Sequence, residues 1–140
     1  MIGMAFAALL TVQAAQASPV GQAGVDPLSV FSGDWQVVDP QTGKVAIDCK
    51  EAQRFAVSPD RKTVRLTEIG ADKWSARYMV LRSEKNRVLM LIENEERKTE
   101  AGDPILWWAY FDGPDRFRWR QYDWASEART TAEWRRCPRP

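Results

Sequence analysis

The chain contains no histidine. That removes Ser–His–Asp triads, Cys–His dyads and imidazole metal sites together. Its two cysteines, Cys49 and Cys137, are far apart and outside any C-x-x-C arrangement, so a redox-active thiol pair is not expected. The eight glycines never fall into G-x-G-x-x-G or G-x-x-x-x-G-K spacing, so no phosphate-cradling loop is present. Carboxylates remain. Glu93, Glu95, Glu96, Glu100 and Asp103 cluster in one segment, and paired acids can hydrolyse glycosidic bonds. A charged stretch between strands, however, reads first as a solvated loop. No catalytic residue, metal or cofactor is assigned, and an enzyme is not expected.

Aromatic side chains are the positive signal. There are seven tryptophans: 35, 74, 107, 108, 119, 124 and 134. Aromatics lining a concavity can stack on a flat ligand or enclose an apolar one. Equally, they can fill the core of a small domain. Trp107 and Trp108 are adjacent and must point to opposite faces of a strand. Arg116, Arg118 and Arg120 alternate with Phe117 and Trp119, giving either a solvated outer face or a cationic wall for an anionic ligand or partner. After residue 114 seven arginines face four acids, and the net charge of the whole chain is +1. Neither argues for nucleic acid.

The elements that must position these groups are short and β-rich. The first 17 residues are uncharged, largely apolar, and end in Ala15-Gln16-Ala17. This is the order of parts in a cleavable signal peptide, with the cut expected after Ala17 and a periplasmic or secreted product. The apolar run is about half the roughly 20 residues needed to span a bilayer. Residues 18–30 read as a flexible leader and 31–140 as one domain. In an exported chain an even cysteine pair reads as a disulfide, here Cys49–Cys137, whose long loop is worth about 4–5 kcal/mol by chain entropy.

Strand-like runs follow at 33–38, 45–49, 54–57, 63–69, 73–82, 88–92, 105–111, 116–122 and 129–137, separated by turn signals such as Asp112-Gly113-Pro114-Asp115. Eight or nine strands are expected, with 46–55 and 123–133 as the places where a helical turn could hide. Consecutive hairpin-length connections favour an all-β, up-and-down antiparallel meander closing into a small barrel. A β-sandwich is the alternative. The strands are too polar on one face and too thinly apolar on the other for an outer-membrane barrel.

Phe31-Ser32-Gly33-Asp34-Trp35 resembles the F-x-G-x-W opening of lipocalins and related calycin barrels. The resemblance implies that Trp35 closes the barrel floor and that an Arg near the last strand packs across it. Arg135 or Arg136 fits, with a slight preference for Arg136. Lipocalins commonly tie their C-terminal tail by a disulfide, which Cys137 would suit. The family's T-D-Y-like motif and terminal helix are not visible.

The leading expectation is an exported monomeric barrel binding a small, partly apolar or aromatic-stacking ligand. Trp35, Tyr78, Trp107 and Trp119 would line the cavity, with Arg120 or Arg136 as the polar contact. The alternative is a periplasmic protein-binding module or hydrolase inhibitor, contacting an envelope protein through the 93–103 loop or the Arg row.

Overall fold

The computed structural model describes residues 24–38, 49–69, 75–126 and 128–138. A one-turn helix, α1 (Pro27–Phe31), precedes eight strands: β1 (Gly33–Val37), β2 (Gln53–Val57), β3 (Thr63–Glu68), β4 (Ser75–Glu84), β5 (Arg87–Ile92), β6 (Leu106–Phe111), β7 (Arg116–Gln121) and β8 (Glu133–Arg136). Each strand pairs antiparallel with the next, and β8 returns to β1 through Trp35↔Arg136, Gln36↔Arg135 and Val37↔Trp134. The sheet is therefore a closed up-and-down barrel, and closure leaves no free edge. The sandwich alternative is set aside.

Period-2 alternation decides what points inward. Val64 and Leu66, Val88 and Met90, Phe117 and Trp119 are buried, while Arg65, Arg116 and Arg118 between them are exposed. Trp107 and Trp108 do face opposite ways. Trp107 packs against the core cluster, whereas Trp108 lies on the outside beneath the guanidinium groups of Arg82 and Arg87, 5.0 and 4.2 Å from its ring centre. A bulge between Val80 and Arg82 inserts Leu81, which is half exposed.

Several expectations need correcting. The flexible leader does not run to residue 30: Pro27–Val30 belong to α1, and Leu28 and Phe31 are buried in the core. Asp26 starts the helix by accepting from the Leu28 amide at 3.2 Å, and Pro27 occupies the first turn, where its missing N–H is harmless. The described parts of 46–55 and 123–133 hold turns and strand ends, not helix. The last strand is confined to Glu133–Arg136. The expected strand at 45–49 lies outside the described residues except for Cys49, which is not in a strand, and Trp74 also lies outside them. Cys49 and Cys137 are joined by a disulfide, Cα–Cα 6.0 Å, which belongs to an oxidising compartment. Among the described residues no helix is long and apolar enough to cross a membrane.

Candidate functional site

The barrel has two unlike ends. At one end lie α1, the turn after β2, the β4–β5 hairpin and the β6–β7 turn; this end is sealed. Trp35 is completely buried there and donates its Nε1–H to the Phe31 carbonyl at 2.9 Å. The Arg136 guanidinium lies 4.3 Å from the Trp35 ring centre. It donates to the carbonyls of Val30, Ser32 (2.9 Å) and Pro114 (2.9 Å), and to the Asp115 carboxylate at 3.1 Å. One side chain thus ties the helix, the β6–β7 turn and the last strand together. Gly33 permits it: with φ at 140°, a Cβ built there would sit 2.5 Å from an Arg136 nitrogen. Phe31, Phe55, Phe111 and Phe117 fill the space above, with neighbouring ring centres 4.8 to 5.9 Å apart. Packed aromatic rings thus occupy the lower barrel.

At the opposite end the interior opens into a pit of about 370 Å³, lined by Tyr78, Ile92, Arg97, Trp107, Trp119 and Thr131. That is near the lower limit of ligand-pocket volumes. Tyr78 and Trp119 are brought inward by β4 and β7 and stack at 5.5 Å and 19°. Trp107, from β6, meets Trp119 and Trp124 edge-on at 6.4 and 6.0 Å. Its indole N–H is buried without a hydrogen-bond partner, an uncommon state for a buried donor. Burial pushes the Tyr78 hydroxyl up to about 12, an effect opposed by the positive charge of Arg97.

Arg97 reaches the rim from the charged segment. Glu95 accepts from its backbone N–H (3.0 Å), its Nε (2.8 Å) and its terminal nitrogen (2.8 Å). This pairing holds the Glu95 carboxyl below its ordinary value against the opposing effect of its own burial. The segment is a loop, as expected, but one closed on itself by a Lys98–Pro104 bridge and a Thr99–Asp103 backbone bond of 2.8 Å.

No family model matches the chain, and no curated protein or solved structure matches it. The site therefore rests on its geometry.

Of the six side chains expected around a ligand, the structure brings three together at the pit: Tyr78, Trp107 and Trp119. Trp35 and Arg136 sit at the opposite end from the pit, where Arg136 lines a separate cleft of about 530 Å³ with Ser29, Ser32, Pro114 and Asp115. Arg120 is on the outer face, as its alternation with Trp119 requires. It is 5% exposed because the loop after β7 wraps it, and it donates to the carbonyls of Trp124 and Ser126. It is a loop clamp. Arg97, Ile92 and Thr131 join the pit without being expected there. Ile92 shares the inward face of β5 with Met90, so alternation is a signal that could have found it. Arg97 and Thr131 lie in connecting segments, where no periodicity reports direction.

Proposed function

We propose that this barrel is an exported, lipocalin-like binding protein that takes one small, flat, partly apolar ligand at its open end. The observation that carries the reading is the aromatic pit of Tyr78, Trp107 and Trp119, which lies above a core of packed aromatic rings. Stacked and edge-on rings offer a ligand both faces and edges. The Arg97 guanidinium at the rim favours a ligand carrying an anionic or hydrogen-bond-accepting group. The signal-like first 17 residues and the disulfide support export.

Binding is a better reading than catalysis. Glu95 is held ionised by Arg97, the reverse of what a general acid needs. The protein-docking alternative gains less support. Arg116, Arg118 and Arg135 all converge on Glu133, at 3.8, 3.7 and 2.8 Å, so their charge is partly neutralised within the chain.

The test is titration with 1-anilinonaphthalene-8-sulfonate, a flat aromatic anion, followed by tryptophan quenching. Saturable one-site binding is expected. Ile92→Trp, which fills the pit, should weaken it at least tenfold, while Trp35→Phe at the sealed end should leave it unchanged. Absence of saturable binding, or an Ile92→Trp protein that binds as tightly as the parent, would remove the pit from consideration.

A further inference from the structure

A second site lies on the outer wall, sharing Ile92 with the pit lining, and it follows from strand register. β3 and β4 place Arg65 directly opposite Arg77, and Thr67 directly opposite Ser75. All four positions share the outward face. Like charges in direct cross-strand register are destabilising unless something neutralises them. The barrel contains a natural comparison. Its other directly opposed arginine pair, Arg116 and Arg135, is bridged by Glu133 at 3.8 and 2.8 Å. The Arg65–Arg77 pair has no such bridge. Among the described residues the carboxylate that Arg77 meets is Glu93, at 3.8 Å, beyond hydrogen-bond length. Among the described residues Arg65 has no carboxylate partner, although Arg54 on the neighbouring strand is held by Asp34 at 2.7 Å.

These side chains border an open groove of about 790 Å³, whose lining also includes Asn94. Two guanidinium groups, two hydroxyls and an amide therefore surround one concavity, with Glu93 as the one acid on its rim among the described residues. Guanidinium forks match tetrahedral oxyanions in both charge and geometry. We propose that Arg65 and Arg77, with Thr67, Ser75 and Asn94, form a binding site for a phosphate- or sulfate-type oxyanion. Such an anion would supply the negative charge that the sheet leaves out between the two arginines. Glu93 is its internal competitor for Arg77.

The experiment is an NMR titration of the folded, disulfide-intact protein with inorganic phosphate at low ionic strength, with sodium chloride at matched ionic strength as control. Saturable amide shifts confined to Thr67, Ser75, Arg77 and Asn94 are expected with phosphate only. Arg65→Thr should weaken binding at least tenfold and, by removing the repulsion, raise Tm in phosphate-free buffer. Glu93→Gln should tighten binding. Equal shifts with phosphate and chloride, or an Arg65→Thr protein that binds normally, would overturn the site. A lower Tm for Arg65→Thr would overturn the premise of unrelieved repulsion. Vesicles of phosphatidylglycerol then separate the sources: sedimentation with them, competed by phosphate, assigns a lipid headgroup, and phosphate binding without sedimentation assigns a free anion. Either result upholds the oxyanion site.

Discussion

At the scale of single residues, Arg136 concentrates more interactions than any other side chain described. Removing it leaves three carbonyls at the sealed end without their charged donor and takes the cation from the Trp35 face. Arg136→Ala should therefore destabilise by about 2–3 kcal/mol, as the loss of several charge-assisted bonds generally does, measured by urea unfolding. Arg136→Lys should recover only part, because one ammonium cannot fork between the helix and the turn. Tyr78 supplies a second test. Its hydroxyl is raised to about 12 by burial. The unfolded phenol ionises near 10, so this stabilisation is complete below pH ~10 and is lost as pH climbs toward the folded value. Absorbance titration should show one phenol ionising about two units late, and Tyr78→Phe should abolish that phase and flatten the alkaline fall in stability.

The clean alternation of β3 and β7 makes their facing legible in the sequence itself, whereas β5 is apolar on both faces; adjacency alone puts Trp107 and Trp108 on opposite sides. Site membership is less legible. Trp35 and Tyr78 both point inward, but only position along the barrel axis separates floor from pit, and that depends on the shear of the closed sheet. Arg120 illustrates the other limit. Alternation places it outward, yet its burial comes from the loop after β7, whose course no period announces.

At the scale of elements, α1 is short enough to have no helical periodicity, which is why it reads as leader. Its signals are only Asp26-Pro27 and the apolar residues Leu28 and Phe31. Phe31 nevertheless sits at the centre of the ring cluster, 5.1 Å from Phe111 and 5.4 Å from Phe117. Phe31→Ala should cost about 3–5 kcal/mol, the range for a fully buried aromatic, and denaturant unfolding will read it. The β4–β5 turn carries a different kind of strain. Lys85 holds φ at 46°, the left-handed region that β-carbons disfavour. Lys85→Gly should raise stability by about 0.5–1 kcal/mol, relief of that strain outweighing the added chain entropy, and the same unfolding curve will give the sign. In the 93–103 loop, the lowered Glu95 carboxyl contributes stability that is present above its unfolded value near 4.3 and lost as pH falls through its depressed folded value. Glu95→Gln should flatten the acid limb of stability in that window.

At the scale of the whole molecule, ring closure and the disulfide act on different states. Closure satisfies the backbone of the folded sheet, whereas the Cys49–Cys137 link restricts the unfolded chain over 88 residues. Reduction should lower stability by about 4–5 kcal/mol on the chain-entropy estimate while leaving the β-sheet circular dichroism of any remaining folded protein unchanged.

The sealed floor also gives the barrel a polarity of attachment. The described chain enters at Gly24, close to the Lys85 turn, and leaves at Pro138, beside Ser29 and Pro114. Both points lie at the sealed end, away from the pit. A barrel fixed to a support or fused to another domain through either point would present its aromatic mouth outward, like a cup standing on its base, so immobilisation at either point leaves the pit facing solution.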